Sequence, residues 1–557
     1  MTLPGQAVWR HLRDARLWRH PGVVVGGVMA ALAAGLALLA WATAQWGLGA
    51  NSDGLTYLVL ARHWFRAGVY ARLKPDGWAP MTHFPPGYPQ VMVAFMPFTQ
   101  GDEAAAARIV ALLALAGIIA LAARVVFRFT RHAGPTVAVA WWLALAFPLQ
   151  RVVTLVLSES LFLVQILALA WALDRWHATR RTRTGVLVGL LAAWAVFTRW
   201  IGIALVLWAM LDTWWAWRHR RPQNWPRQAG AALLAAGVPV AALALAGAWA
   251  AHAATGRRWR WHPPGLEKWR QAAETVAGWV RPLFATWSEA QVWAVAAGIL
   301  VATAALVWVS WRVPRAESFP HPPIRAYAVR WGGLIVVYWA MLALAIAVAD
   351  ASTPMDWRLL APVFVALSLL WAGLGWQVLG RWWPTALLLL WLWVHLLRVT
   401  WAYDRHFLVR QMHNLGAGLR SNDWQQAEVW PVLRALPQHV VVVTNKLQET
   451  EYYAERPAWL LLGQPVWREG RPYVYDVVAA AYVPLEHVSG PPKPWGALVA
   501  QRWQGECVVI AFITLGMPED DAAAALDELT AYLTLWQQVP QGALFLPPDA
   551  PPCYNGP

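Results

Sequence analysis

Long apolar runs are the feature of this sequence that most restricts what the chain can fold into. Between residues 23 and 399, runs of roughly 18 apolar residues recur, about the length that a helix needs to cross a hydrocarbon core of about 30 Å. Because backbone groups in lipid must bond within their own segment, each run is predicted to be a transmembrane helix. With 59% hydrophobic and only 13% charged residues, the chain is neither a cytosolic enzyme, a disordered protein nor a disulfide scaffold.

The apolar runs predict a polytopic α-helical membrane protein with eleven transmembrane helices. The first run follows four arginines and lacks a small-residue cleavage site, so we expect an anchor rather than a cleaved signal peptide. Together the runs form a transmembrane module at residues 1–400, with spans at 23–44, 104–123, 135–150, 161–173, 185–198, 201–217, 229–251, 291–311, 332–348, 359–379 and 383–399.

Clusters of arginine between the apolar runs predict the orientation in the plasma (inner) membrane. Basic loops stay on the cytoplasmic side, and these clusters occur at every second connection, near residues 124–131, 175–183, 218–227 and 312–330. Eleven spans then require a cytoplasmic N-terminus and an extracytoplasmic C-terminal part. The net charge of +15 is explained by this topology. No nucleic-acid-binding motif accompanies it, so we expect membrane lipids rather than nucleic acid as partners.

The other connections are predicted to be extracytoplasmic. In the first outer loop, residues 45–103, the stretch 87–98 is too short to cross and contains two prolines, so we expect an interfacial helix. The loop at 252–290 carries six basic residues against three acidic ones, and the alternation of spans still assigns it to the outer side. Within it, residues 257–261 alternate Arg with Trp, which is typical of a segment that contacts anionic lipid head groups.

The composition changes after Thr400, where the long apolar runs stop. Residues 401–557 are predicted to form a small extracytoplasmic α/β domain, with strands at 440–444, 507–514 and 543–546 and a helix at 520–538. The only two cysteines, Cys507 and Cys553, lie in this domain. In an oxidising compartment, a disulfide between them and a buried thiol at Cys507 are both open alternatives.

Charged residues at the mouths of the predicted spans are the candidates for chemistry, because polar groups at membrane depth are costly. Asp53 follows the first span and Glu159 precedes the fourth. Arg199 lies between the fifth and sixth spans, and Asp356 and Arg358 precede the tenth. All are predicted to lie on the outer side. A carboxylate there can take the proton of a hydroxyl nucleophile while guanidinium groups hold a departing phosphate.

Short motifs around these residues occur in a definite order. They include Asp53-Gly54-Leu55-Thr56-Tyr57, Thr82-His83-Phe84-Pro85-Pro86-Gly87, Ser158-Glu159-Ser160, Thr198-Arg199, Arg358 with Pro362, and Val443-Thr444-Asn445 in the C-terminal domain. This set resembles bacterial enzymes of the glycosyltransferase C (GT-C) superfamily, the relatives of protein O-mannosyltransferases and lipid A aminoarabinose transferases. The resemblance covers nearly the whole chain.

The resemblance implies a reaction and roles for these residues. Such enzymes take a sugar from a polyprenyl phosphate presented from the outer leaflet, and Asp53 matches their presumed catalytic base. Glu159 matches the second outer-loop acid, so we expect it to help bind acceptor or donor, or a divalent metal ion if the reaction uses one. The acceptor is left open among lipid, glycan and protein.

Two departures from the family's pattern narrow these expectations. Asp53 is followed by Gly54 rather than a second acid, which argues against the O-mannosyltransferase subgroup. Phe84 stands where the aminoarabinose transferases have Lys before Pro-Pro. The phosphate contact must therefore come from elsewhere, and the candidates are His83, Arg199, Arg358 and the cluster Arg257, Arg258 and Arg260.

Each candidate also has a purely structural interpretation. Asp53 would cap the helix that begins near Leu55, Glu159 would be a solvated turn residue, and the arginines would extend to lipid head groups. No group of His, Cys and carboxylates has metal-ligand spacing, and no glycine-rich phosphate loop follows a strand. The sequence therefore predicts neither a metal site nor a nucleotide-sugar donor.

Two other functions compete with glycosyl transfer. A secondary transporter or lipid flippase would place charged groups near mid-membrane on broken helices and would often show two similar halves. A non-catalytic scaffold would make Asp53 dispensable. We predict instead an integral-membrane hexosyl- or pentosyltransferase that moves a sugar from polyprenyl phosphate to a hydroxyl at the outer face, with inversion and with Asp53 as base.

Overall fold

The computed structural model describes residues 20–220, 225–254, 261, 263–280, 287–312, 324–348, 353–378, 383–461, 466–468, 471–476, 481–484 and 494–550. Its helices are, in chain order, α1 (Pro21–Ala42), α2 (Ser52–Ala67), α3 (Gly87–Phe95), α4 (Glu103–Thr130), α5 (Ala133–Leu145), α6 (Phe147–Val153), α7 (Ser158–Thr179), α8 (Thr182–Thr198), α9 (Ile203–Arg220), α10 (Trp225–Ala254), α11 (Leu266–Gly278), α12 (Glu289–Arg312), α13 (Ile324–Val348), α14 (Ala361–Val378), α15 (Trp383–Asp404), α16 (Asn422–Gln425), α17 (Val429–Ala435), α18 (Leu447–Glu449), α19 (Trp495–Trp503) and α20 (Glu519–Thr530).

Ten strands and four short helical turns complete the described secondary structure. The turns are 3-10 helices at Met96–Thr99 and Trp200–Gly202 and π-helices at Arg405–His413 and Thr450–Ala454. The strands are β1 (Ala71–Lys74), β2 (Gly77–Pro80), β3 (Val441–Thr444), β4 (Ala458–Leu460), β5 (Val466–Arg468), β6 (Arg471–Asp476), β7 (Ala481–Pro484), β8 (Val508–Ile513), β9 (Thr534–Val539) and β10 (Gly542–Leu546).

Helices occupy the sites of the predicted spans. In the part of the chain that the structure describes, six helices are long and apolar enough to cross a membrane, and a seventh span results if the bent pair α5 and α6 counts as one. The chain is therefore a multi-pass membrane protein, as the apolar runs indicate. The count of eleven stays a prediction.

The span expected at residues 135–150 is broken. Helices α5 and α6 meet at Ala146 with a bend of 53°. Pro148 lies in the first turn of α6 and has no N–H to donate to the preceding turn. The side-chain amide of Gln150 donates instead to the carbonyl of Ala144. The break is thus stabilised by a buried polar side chain.

The described residues form two compact units. The first unit contains Met1–Leu48 and Thr82–Asn414, and the second joins Gly49–Met81 to Leu415–Pro557. In the first unit the long helices pack on their neighbours, with α1 against α5, α4 against α5, α7 against α8, α8 against α10, and α13 against α14. The stretch expected to be an interfacial helix is α3 followed by a 3-10 turn.

The second unit is built on a five-stranded sheet of order β4-β3-β8-β10-β9, in which β3 is parallel to both β4 and β8. Successive side chains of β8 pack alternately into two different hydrophobic clusters. Ala511 packs in the cluster that contains Trp430 of α17, and Phe512 packs with Trp495 of α19 and Leu529 of α20. Helices therefore cover both faces of the sheet. The prediction of a small α/β domain is confirmed.

Three of the predicted elements of this domain are confirmed and one is partly wrong. The strands expected at 440–444, 507–514 and 543–546 are β3, β8 and β10. The helix expected at 520–538 ends at Thr530, because residues 534–539 form β9 and pair antiparallel with β10. Cys507 lies directly before β8, and Cys553 lies outside the described residues.

Candidate active site

Glu159 and Arg199 form a buried ion pair. Glu159 lies in the first turn of α7 and is 3% exposed, and Arg199 directly follows the end of α8. Nη1 of Arg199 lies 2.7 Å from Oε2 of Glu159 and donates a hydrogen bond of 2.9 Å to Oγ of Ser158. A carboxylate in the first turn is also favoured by the helix dipole. The structure thus brings together two residues to which the sequence gave separate roles.

The end of α8 that carries Arg199 is fixed to α7. Nε2 of Gln165 donates to Oγ1 of Thr198 at 2.6 Å, and both side chains are fully buried. The N–H of Gly202 donates to the carbonyl of Arg199 at 2.8 Å and starts the 3-10 turn. Because α7 also carries Glu159, both members of the ion pair are positioned by the same helix contact.

The backbone of His83 contacts this turn. Nε1 of Trp200 donates to the carbonyl of His83 at 2.9 Å, while the imidazole packs edge-on against Phe84 with the ring centroids 4.6 Å apart. A Cβ at Gly87 would lie 2.6 Å from the carbonyl oxygen of Phe197, so only glycine allows α3 to approach the end of α8 this closely. The Thr82–Gly87 motif is therefore adjacent to the Arg199 turn.

Arg358 is held by Asp356. Nε of Arg358 donates to Oδ2 of Asp356 at 3.0 Å, and Oδ1 accepts the backbone N–H groups of Arg358 and Leu359 at 3.1 and 3.3 Å. The segment is also attached to α11, where Nζ of Lys268 donates to the carbonyl of Thr353 at 2.8 Å. Lys268 lies in the basic loop that the sequence assigns to the same face as Arg358.

Two further residues of this region were missed by the sequence analysis. The guanidinium of Arg151, on α6, lies 4.3 Å from the ring centroid of Trp357 and within electrostatic range of Asp356 and Arg358. Tyr338, 1% exposed on α13, donates to the carbonyl of Leu359 at 2.8 Å. Its position in a predicted outer turn could have identified Arg151, whereas Tyr338 lies inside an apolar run and gives no signal.

Tyr338 lies near both ion pairs. It lies within electrostatic range of Glu159 and Arg199 as well as of Asp356. We call Arg151, Arg199 and Arg358 the guanidinium cluster. Its three permanent cations are accompanied by two carboxylates, so the group has a net positive charge and suits an anionic ligand.

The remaining candidate residues lie elsewhere. Arg258, with Arg257 and Arg260, falls outside the described residues. Asp53 belongs to the second unit, where it is half-buried in the first turn of α2. The capping interpretation of Asp53 is wrong, because the side chain of Asn51 accepts the N–H of Gly54 at 2.8 Å and caps this helix.

A second buried charge network lies in the first unit, and no sequence signal indicated it. Arg330 on α13 binds Asp212 on α9 through Nε at 2.9 Å and Nη2 at 3.2 Å, and it also binds Asp174 on α7. His177 and Arg128 lie 3.4 and 3.6 Å from these two carboxylates. The network joins four long helices at the ends that the arginine clusters predict to be cytoplasmic.

No protein-family model and no curated protein matches the chain. Solved structures do match. ArnT from Cupriavidus metallidurans, bound to undecaprenyl phosphate, aligns over 95% of this chain and 99% of its own, with a TM-score of 0.54 and 13% identity. The oligosaccharyltransferase AglB from Archaeoglobus fulgidus, in complex with an inhibitory peptide and a dolichol-phosphate, aligns over 93% and 74%, with a TM-score of 0.55 and 11% identity. The chain has the fold of GT-C glycosyltransferases.

The GT-C fold confirms the resemblance that the short motifs indicated. The likeness concerns the fold, and the roles of individual residues in this chain rest on their own geometry. Among the described residues, no group of three or more His, Cys, Asp or Glu side chains is arranged to hold a metal ion. The arrangement offers guanidinium groups for an anion, held in place by the carboxylates of Glu159 and Asp356.

Proposed function

We propose that this protein is an integral-membrane glycosyltransferase that moves a sugar from a polyprenyl-phosphate donor to a hydroxyl acceptor at the outer face of the membrane. The observation that carries the proposal is the guanidinium cluster, whose Arg199 and Arg358 are positioned by carboxylates within a GT-C fold. Guanidinium groups recognise phosphate through paired, charge-assisted hydrogen bonds. The solved ArnT and AglB structures contain undecaprenyl phosphate and a dolichol-phosphate, respectively.

In this proposal the guanidinium cluster binds the donor phosphate. Arg199 is oriented by Glu159 and Ser158, and Arg358 is oriented by Asp356, so both enter the reaction without reorganisation of their side chains. Arg151 adds the third cation. Glu159 then acts on the donor side through Arg199, in addition to any contact with the acceptor.

Asp53 is proposed as the general base. The acceptor hydroxyl attacks the anomeric carbon, its proton passes to the Asp53 carboxylate, and the bond from the anomeric carbon to the phosphate oxygen breaks. The polyprenyl phosphate leaves as an anion that guanidinium groups stabilise. One displacement of this kind inverts the anomeric configuration. The sugar is a hexose or pentose, and the acceptor is a lipid, glycan or protein.

The test is to incubate the purified protein with a panel of polyprenyl-phosphate sugars and measure the free polyprenyl phosphate released. Asp53→Asn should lower the rate by at least about a hundredfold. Asp76→Asn, which alters an exposed carboxylate of the same loop, should leave it unchanged. Near-normal turnover of Asp53→Asn, or retention at the anomeric carbon, contradicts the mechanism. Translocation of the lipid across vesicles without bond cleavage would support the flippase alternative.

The donor-side proposal has its own test with undecaprenyl phosphate as the probe. Each charge-assisted hydrogen bond lost is worth about 1.5–3 kcal/mol, so Arg199→Ala or Arg358→Ala should weaken binding by about 10- to 100-fold. Arg131→Ala removes an exposed arginine on the predicted opposite side and serves as the control. Equal affinities in all three variants would remove the guanidinium cluster from the donor site.

The proposed orientation is a cytoplasmic N-terminus and an extracytoplasmic C-terminal domain in the inner membrane. The arginine clusters support it. Reporter fusions after Arg131, Arg183 and Arg227 should report the cytoplasm, and a fusion after Thr400 should report the outside. A cytoplasmic tail would place Asp53 away from a donor in the outer leaflet and end the proposal.

A further inference from the structure

The segment that carries Asp53 is part of the same compact unit as the C-terminal domain. Ala50 pairs with the chain at Gly418, since its N–H donates to Ala417 at 3.3 Å and its carbonyl accepts the N–H of Leu419 at 2.7 Å. Gly418 has φ +60°, and a Cβ there would lie 2.2 Å from the carbonyl oxygen of Ala50. Only glycine permits this contact, which fixes the chain just before α2.

Beyond α2, the hairpin of β1 and β2 is attached through a buried ion pair. Nε of Arg72 donates to Oε2 of Glu451 at 2.7 Å, and Nη2 of Arg72 donates to the same oxygen. The other oxygen of Glu451 accepts the N–H of Leu73 at 3.3 Å. The side chain of Glu451 is 5% exposed and that of Arg72 is 18% exposed. Glu449, which is also buried, lies within electrostatic range of Lys446 and of Arg72.

The second half of helix α2 is bound to the segment that contains Glu451. Nη1 of Arg62 donates to the carbonyl of Tyr452 at 3.1 Å, and its guanidinium lies 4.9 Å from the centroid of the Tyr452 ring. One turn further along, Arg66 lies 3.5 Å from Glu455. The two segments therefore run side by side in the same direction. Asp53, in the first turn of α2, thus belongs to a segment that is held before the helix, in its second half and after its end.

We propose that the C-terminal domain positions Asp53 for catalysis, and that Arg72 and Glu451 are the positioning residues that clamp the Asp53 segment to it. The inference rests on the proposed role of Asp53 as base. A general base must lie within hydrogen-bond distance of the proton that it removes. A displacement of about 1 Å lowers the rate by about a hundredfold. Loss of the contact between Arg72 and Glu451 should therefore displace α2 and lower the turnover rate.

The test compares Arg72→Gln, Glu451→Gln and the double variant in the full-length protein. Arg66→Gln is the matched control, because Arg66 and Glu455 link the same two segments but are 58% and 51% exposed and contribute little. Arg72→Gln should raise hydrogen exchange in α2 and β1 and lower kcat by about a hundredfold, with donor KM unchanged. The double variant removes the uncompensated buried charge and should recover part of the loss. Arg72→Lys, which keeps the charge but loses the paired N–H groups, should lie in between.

The outcomes separate this inference from the proposed function. Unchanged hydrogen exchange in Arg72→Gln would overturn the clamp whether or not a donor is found. Raised exchange with unchanged kcat would overturn the positioning role and leave the glycosyltransferase standing. Absence of turnover in the wild type with every polyprenyl-phosphate sugar would contradict the proposed function instead. A rise in donor KM equal to the fall in kcat/KM would also count against positioning, because it indicates a lost binding contact.

Discussion

The Glu159–Arg199 pair gives a prediction whose size follows from its burial. Arg199→Gln removes the cation beside a carboxylate that is 3% exposed, and the hydrogen bond from Oγ of Ser158 to Oε2 is long, at 3.5 Å. Breaking a buried pair in this way should destabilise the protein by about 3–5 kcal/mol. Glu159→Gln leaves a guanidinium that is 16% exposed, and it should cost about 1.5–3 kcal/mol.

The double variant Glu159→Gln/Arg199→Gln should therefore be much more stable than the sum of the single effects predicts. We expect a coupling free energy of about 2–3 kcal/mol, at the upper end of the range for residues in contact. The measurement is a double-mutant cycle of unfolding free energies in mixed micelles. Arg270 and Glu267 provide the matched control, because their atoms lie 2.9 Å apart but their side chains are 43% and 59% exposed. That pair should couple by less than about 1 kcal/mol.

An additive cycle at Glu159 and Arg199 would refute the reasoning, because it would mean that the two side chains do not depend on each other for their burial. The same result would remove the argument that Glu159 orients Arg199. Equal coupling in the buried and exposed pairs would refute the role of burial and leave the ion pair itself intact.

Three further predictions concern stability. Asn51→Ala removes the cap of α2 and should destabilise that helix by about 1 kcal/mol, measured by hydrogen exchange. Burial raises the pKa of Glu449 above its usual value of 4.5, so the folded state holds this proton longer and the wild type loses stability as pH rises through the raised pKa. The second unit of the Glu449→Gln variant should therefore unfold at a higher urea concentration than that of the wild type at pH 8, and at the same concentration at pH 4. A difference between the two proteins that does not change with pH would contradict the raised pKa of Glu449. Arg330→Met removes the hydrogen bonds that Asp174 and Asp212 receive from Arg330 and should destabilise the first unit by about 3–5 kcal/mol. Replacing both Asp174 and Asp212 by Asn in the Arg330→Met variant should restore most of that loss. The measurement is again the unfolding free energy in mixed micelles.

The membrane helices could be predicted from the sequence because lipid leaves the backbone few alternatives. Apolar length alone located the helices now seen as α4, α12 and α14. It could not reveal the 53° break after α5, because that depends on how Pro148 and Gln150 redistribute the backbone hydrogen bonds of one turn. Local sequence therefore predicts that a helix forms more reliably than it predicts where the helix bends.

The C-terminal domain shows the limit of periodicity. Residues 519–530 form a helix by their apolar spacing, but the pattern continues ambiguously into Thr534–Val539. Pairing with β10, made possible by the turn before Gly542, converts this stretch into a strand. Tertiary pairing of this kind overrides local propensity.

The sequence predicted which types of residue form the candidate site, but not which of these residues form ion pairs with one another. The predicted topology identified Glu159, Arg199 and Arg358, because charged side chains at the ends of membrane spans are costly and usually have a function. It could not show that Glu159 binds Arg199, since the two lie 40 positions apart and meet only through the packing of α7 on α8. The Arg330 network was missed for the same reason, because Asp174, Asp212 and Arg330 lie on three different helices and meet only through their packing.

The joining of Gly49–Met81 with Leu415–Pro557 has a consequence for biogenesis. The ribosome makes the Asp53 helix early and the sheet of the same unit last, and about 370 residues separate Met81 from Glu451. At about 5–20 residues per second, the Asp53 helix and its hairpin wait about 20–75 s for Glu451. Throughout that interval the membrane helices can insert one after another while Arg72 has no Glu451 to bind. Completion of the last domain is thus the step that gives Gly49–Met81 its native partners, and a chain arrested after Thr400 would be left without its proposed base in place.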